Sequence, residues 1–280
     1  MALASEHEVV GLDTSPSSTT DVVASITESA RLRTALHGVD AVIHIAAVHA
    51  PHVEHLSEEA FETVNVTATE ALARMAVEAG VRSFVFTSTT ALYGSASTQN
   101  DQAAWIDEAT IPHPRTVYHQ TKLKAESMLE SIAATTALPV TVIRMSRCFP
   151  EPAPIMAAYR LHRGVDVRDV ADAHALAATS PASGIRRFVV SGSTPFLHED
   201  RYLLMTNAQD VIETRCPELT SAFRRRRWNL PSSIDRIYSP SLAMSELKWR
   251  AKYGFEEVLA QLDRRSLEVL PPKSHWLAEE

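Results

Sequence analysis

Short, continuously apolar runs alternate with longer stretches of helical spacing, and few folds accept that pattern. Asp40–Ala47, Ser83–Thr87 and Val140–Met145 read as buried strands. Between them, Ser57–Glu78 carries apolar residues at Phe61, Val64, Ala68, Leu72, Met75 and Ala79, and Gly80 closes it as a helix stop. Val117–Ala133 reads as a second helix. A strand that is apolar along its whole length must be covered on both faces. The expected fold is therefore α/β, a doubly wound parallel sheet of Rossmann type. Upstream, His7–Leu12 and Asp21–Ile26 read as two more strands, and Glu28–Leu36 as a helix ended by Gly38.

Past Pro150 the pattern loosens. Glu151–Pro154 reads as a loop, 169–177 as a helix, 187–191 as a strand, 195–240 as irregular chain and 255–269 as a closing helix. The expected organisation is a dinucleotide-binding part over 1–150 and a smaller, mainly substrate-binding lobe over 151–280, with elements returning to the sheet.

The 280 residues carry a net charge of −7, with a pI near 6.0. No overall positive field favours nucleic acid or anionic lipid, and no apolar run reaches the ~18 residues that span a bilayer. Cys148 and Cys216 lie far apart, outside any CxxC context, which suggests free thiols in a reducing compartment. The first residues lack the basic and apolar segments of a signal peptide, so a cytoplasmic location is expected.

Two strings carry chemistry: Thr87-Ser88-Thr89-Thr90-Ala91-Leu92-Tyr93-Gly94 at a strand end, and Tyr118-His119-Gln120-Thr121-Lys122 on a helix. Residues four apart on a helix share a face. A tyrosine has an ordinary pKa of about 10, too high for a base near neutrality. A neighbouring ammonium favours the phenolate and lowers it. Tyr118 would then exchange a proton with a substrate hydroxyl or carbonyl while a hydride moves. Thr89 or Ser88 would hold the substrate oxygen.

With VVGLD at 9–13, VDAVIHIAA at 39–47, Asn65, LPVTVIRMS at 138–146 and VRDVADAHALA at 167–177, these strings resemble the extended short-chain dehydrogenases/reductases, the NAD-dependent epimerase/dehydratase family. The resemblance implies an NAD-dependent oxidoreductase or epimerase acting on a hydroxyl-bearing small molecule, a sugar or sugar derivative. It makes Tyr118 the acid/base, Lys122 its partner and a ligand of the nicotinamide ribose, and Thr89 the catalytic hydroxyl, with Ser88 beside it. Asp13 would bind the adenosine ribose and favour NAD over NADP. Ile26 would meet adenine; Ala46, Ala47, Asn65 and Met145 would line the cofactor groove; Thr90 and Arg147 would face substrate. A homodimer is an expected assembly.

Four departures stand out. No G-x-x-G-x-x-G occurs, and the sequence starts within the tail of the helix that follows that loop in the family, so roughly 25–30 residues of the family pattern are missing. The anion site built by such a loop and helix N-terminus would go with them. Ser25-Ile26 replaces an Asp-led pair. Thr90-Ala91 replaces the Asp-Glu pair of the sugar-nucleotide 4,6-dehydratases, which argues against that reaction. Arg147 stands where an Asn is common, and an arginine there would favour an anionic substrate unless it pairs with Glu151. These departures keep a second reading open: a non-catalytic remnant, or an interaction protein, that retains the fold without productive cofactor binding.

The run Arg224–Arg227 before Trp228 reads as a solvated basic face or a phosphate site. His44, His49, His52 and His55 have no metal-site spacing, so no metal is expected. Asp169 and Asp172 read as acids at a helix N-terminus.

Overall fold

The computed structural model describes residues 3–96 and 101–272. In chain order its strands and helices are β1 (Leu12–Asp13), β2 (Val22–Val23), α1 (Ser29–Ala35), β3 (Ala41–His44), α2 (Glu58–Glu62), α3 (Ala68–Glu78), β4 (Ser83–Thr89), β5 (Ala104–Ile106), α4 (Val117–Thr135), β6 (Val140–Met145), α5 (Ala153–Tyr159), α6 (Val167–Thr179), β7 (Ile185–Val190), α7 (Arg201–Thr206), α8 (Ala208–Arg215), α9 (Pro217–Arg226), β8 (Arg236–Tyr238), α10 (Ser241–Ser245) and α11 (Phe255–Asp263). The α/β class and the parallel pairing are as the sequence leads one to expect.

The chain forms two compact units whose segments alternate along the sequence. The first comprises the chain through Leu92, Pro114–Arg144 and Ala171–Phe188; the second comprises Tyr93–His113, Met145–Val170 and the chain from Val189 on. The chain therefore passes between units several times, where the sequence reading placed one boundary near residue 150 with later elements returning to the sheet.

In the first unit, the main sheet has the order β3-β4-β6-β7, with β3 parallel to β4 from Ala41↔Ser83 to His44↔Phe86. Its core joins Leu32 and Leu36 of α1, Leu72 and Met75 of α3, Phe84 and Phe86 of β4, Leu129 and Ile132 of α4, and Val140 and Val142 of β6. β1 and β2 pair in parallel with each other, as a separate two-stranded sheet. Among the described residues, β3 pairs only with β4, and Ile45 just beyond it is 64% exposed.

The helix expected over Ser57–Glu78 forms, with a wide turn inside it. Ser57 caps its start by accepting from the Ala60 amide at 3.2 Å, and a π-helical turn over Thr63–Thr67 separates α2 from α3. Such turns are rare and re-aim the side chains they carry. Here Asn65 is one of the residues turned inward.

The second unit has its own core, with Met156 and Leu161 packed among Leu204, Val211, Ile212, Leu219, Phe223, Ile237, Val258 and Leu259. Two expectations are corrected. The loop expected at Glu151–Pro154 already contains the first turn of α5, where a proline costs no intrahelical hydrogen bond. The stretch expected to be irregular over 195–240 holds α7, α8 and α9. Buried Leu204, Ala208, Val211, Ile212, Leu219, Ala222 and Phe223 keep helical spacing across these short helices, although polar residues outnumber them. Asn207 and Cys216 interrupt the run, and Pro217 starts α9.

The closing helix ends at Asp263, short of 269. Arg224–Arg226 form the last turn of α9, where cations answer the negative end of the helix, and Arg226 pairs with Asp263 at 2.8 Å. No helix among the described residues is long and apolar enough to cross a membrane.

Candidate active site

Helix α4 is capped by Thr116, whose hydroxyl accepts from the His119 amide. Its buried face runs through Thr121, Lys122, Ala125, Glu126, Leu129 and Ile132. Tyr118 sits half-buried one turn before Lys122, its ring 5.7 Å from that of His119. Lys122 is 2% exposed, with Nζ 3.9 Å from the centroid of the Phe86 ring of β4. Burial pushes its ammonium down to about 7, and the negative charge of Glu126 pulls the other way.

Thr89 is the last residue of β4. Its Oγ1 accepts from the Ala91 amide at 3.1 Å, which opens the tight turn over Thr90–Tyr93. That acceptor role leaves the hydroxyl hydrogen to donate elsewhere. Ser88 is placed differently: it is buried and donates its hydroxyl to Glu126 Oε1 at 2.5 Å. A structural bond therefore holds the hydroxyl that the sequence offered as an alternative to Thr89.

Asn65 is 2% exposed and acts as a clamp. Its Oδ1 accepts from the Val48 amide, its Nδ2 donates to the Val48 carbonyl, both at 2.9 Å, and Nδ2 also donates to Thr121 Oγ1 of α4 at 3.1 Å. It fixes the segment that follows Ala46, which is exposed, and Ala47, which is half-buried. Nearby, Thr69 gives its proton to the Asn65 carbonyl, so His44 Nε2 donates to Thr69 Oγ1, at 2.8 Å in each case. Burial, aided by the charge of Lys122, pushes the His44 imidazole down to about 3.

Asp13 ends β1 exposed, with Oδ1 accepting from the Ser15 amide at 2.8 Å. Ile26, expected against an adenine ring, is only 8% exposed. Thr90 is buried, and Met145 closes β6 half-buried. Arg147 Nε donates to Glu151 at 2.6 Å, the pairing named above as the alternative to an anionic substrate. Asp169 does more than face a helix dipole: its carboxylate accepts from the amides of Lys252 at 2.9 Å and Tyr253 at 3.1 Å.

Glu126 was not picked out by motif. One signal for it was present: it follows Lys122 by four residues, so a carboxylate falls on the face of α4 that must be buried.

The residues fit a dinucleotide unevenly. Of the two residues expected at the riboses, Asp13 is exposed and Lys122 is buried, and no glycine-rich turn from strand to helix is present among the described residues to cradle a pyrophosphate.

Residues 1–152 match the model of the NAD dependent epimerase/dehydratase family. A dTDP-D-glucose 4,6-dehydratase of Mus musculus is 34% identical over 113 residues, which are 40% of this chain and 30% of that protein. The uncharacterized UDP-glucose epimerase YtcB of Bacillus subtilis is 28% identical over 137 residues, covering 48% of this chain and 41% of that protein. The matches therefore span well under half the length of these relatives. Among solved structures, MoeE5 in complex with UDP-glucose and NAD superposes with a TM-score of 0.65 at 22% identity, over 95% of this chain and 94% of that one. A short-chain dehydrogenase/reductase superfamily protein from Agrobacterium tumefaciens with bound NAD gives a TM-score of 0.68 at 19% identity, over 94% and 92%. At these identities the likeness is one of fold.

Proposed function

The chain belongs to the NAD dependent epimerase/dehydratase family, and from that premise we propose that it is an NAD-dependent oxidoreductase or epimerase. Its substrate is a secondary alcohol on a small molecule, a sugar or sugar derivative. The observation that carries this reading is the buried Lys122, held over Phe86 of β4, one helical turn from Tyr118.

Tyr118 Oη is the proton-transfer atom. The positive charge of Lys122 lowers the cost of a phenolate on the same helix face. Thr89 donates to the substrate oxygen and keeps it in reach of Oη. Lys122 and Asp13 would hold the cofactor's riboses. When bound, a nicotinamide supplies hydride acceptance and return.

Relatives named as sugar-nucleotide enzymes make UDP- and dTDP-sugars the first compounds to try. Thr90-Ala91, in place of an Asp-Glu pair, speaks against 4,6-dehydration. The test is product formation from such a panel in the presence of NAD, by the wild-type chain and by Tyr118→Phe. Formation of an oxidised or inverted sugar that depends on Tyr118 supports the reading.

A second reading has one observation in its favour. β1–β2 stand as a sheet separate from β3-β4-β6-β7. A protein that kept the fold as a binding module would show no NAD-dependent product from any sugar while remaining folded.

A further inference from the structure

Glu126 is the most fully enclosed charge on α4, 1% exposed, and it connects that helix to three neighbouring strands. Its Oε1 accepts from Ser88 Oγ of β4 at 2.5 Å and from Arg144 Nε of β6 at 3.1 Å. Its Oε2 accepts from Arg144 Nη2 at 2.6 Å and lies 3.4 Å from Arg187 Nε of β7. A carboxylate with this many partners is fixed in place, because each bond constrains a different element. Two of those anchors bear on catalysis. Ser88 precedes Thr89, so pinning one residue of the strand end sets the direction of the next. Lys122 lies one turn before Glu126 on the same buried face.

The charges around Lys122 show what the carboxylate does there. Its own helix presents Tyr118 and Glu126; β3 presents His44, which burial keeps neutral; β4 presents the Phe86 ring. Through Glu126, β6 and β7 bring the guanidiniums of Arg144 and Arg187, and Arg187 also pairs with the more exposed Glu130 at 2.8 Å. Two guanidiniums therefore hold one enclosed carboxylate, whose charge also acts on the Lys122 ammonium one turn away. Without it, Lys122 would be a buried cation in a positive neighbourhood.

We propose that Glu126 is the positioning residue of this site: it locks the strand end that carries Thr89 to the helix that carries Tyr118, and it supplies the negative charge against which the Lys122 ammonium stands. Its part in catalysis rests on the reading of Tyr118 and Lys122 as the catalytic pair. It acts through Lys122 and Thr89 and touches no substrate.

The experiment needs neither cofactor nor turnover. The chain is labelled with 13C and 15N in lysine, the Lys122 signal is identified by its absence in Lys122→Met, and its titration is followed by NMR. In wild type the midpoint is expected at about 7. In Glu126→Gln it is expected to fall by about one unit or more, as for a buried lysine that loses an opposing charge. Glu130→Gln, one turn further and largely exposed, is expected to leave it in place. An unchanged midpoint in a folded Glu126→Gln, or an equal fall in Glu130→Gln, overturns the proposal. Should Glu126→Gln alone not fold, Glu126→Gln/Arg144→Met is compared with Arg144→Met, and the same fall is required. A chain with no sugar activity still gives this result, so failure here and failure of the proposed function are told apart.

Discussion

Asn65 binds Val48 through both ends of its side-chain amide, accepting from the Val48 amide and donating to the Val48 carbonyl at 2.9 Å each. A single residue in a wide helical turn thus satisfies both backbone groups of a residue just past the end of β3. Asn65→Ala leaves that half-buried pair without its partners, at a cost of about 1 kcal/mol. Thermal unfolding is expected to shift down accordingly. Asn65→Asp, which keeps the acceptor but cannot donate to the Val48 carbonyl, is expected to recover little. A Tm for Asn65→Ala equal to wild type would show that the clamp is not structural.

His44 gives a pH dependence with a definite sign. Folded, the imidazole stays neutral until about pH 3; unfolded, it takes a proton near its ordinary value of 6.5. Between those limits the unfolded chain binds more protons, so stability falls as pH falls from 6.5 toward 3. His162, pushed down to about 3 by burial and by Arg163, adds a second contribution of the same sign. The Tm of His44→Gln is expected to drop less than that of wild type between pH 7 and pH 5. Parallel pH profiles for the two proteins would contradict this.

Arg147 is expected to matter for folding more than for substrate choice. Its partner Glu151 is buried, and burial already raises that carboxyl. Arg147→Met removes the cation that opposes this, and because Arg147 is itself partly exposed the loss is about 1 kcal/mol. A lower Tm with no selective rise in KM for anionic sugars is the expected pair of results. A selective rise would return Arg147 to the substrate site.

Much of this was legible in the sequence, for reasons that differ by residue. Tyr118 and Lys122 were readable because a spacing of four on a helix forces a shared face whatever surrounds it. The main strands were readable because continuous apolar runs have few other uses. The resemblance put Asn65 in the cofactor groove, but its clamp on Val48 depends on a wide turn that no local spacing announces. Ser88 and Thr89 are adjacent hydroxyls of the same chemistry, and only the position of Glu126 in space separates the anchored one from the other. Helices α7–α9 were hidden because each is short and α8 and α9 are mostly polar, so their apolar positions form a pattern only when joined across Asn207 and Cys216.

Cofactor affinity is expected to be low. In the proposed reading Asp13 and Lys122 hold the riboses alone, and no glycine-rich turn among the described residues supplies amides to a pyrophosphate. Calorimetric titration with NAD is expected to give a Kd weaker than micromolar. Micromolar binding would mean that other groups of this chain hold the phosphates.

Hydride movement governed by Tyr118 is the heart of the proposed function, and deuterium tracing tests it most directly. Sugar nucleotides deuterated at the carbon to be oxidised are incubated with saturating NAD and wild-type chain or Tyr118→Phe. The expected result is deuterium delivered to NAD, or returned to the same carbon with inverted configuration. In Tyr118→Phe the rate is expected to be lower by about 10²–10⁴-fold, the usual worth of a lost proton-transfer group, with NAD binding unchanged. No deuterium movement with the wild-type chain, or an equal rate with Tyr118→Phe, would contradict it.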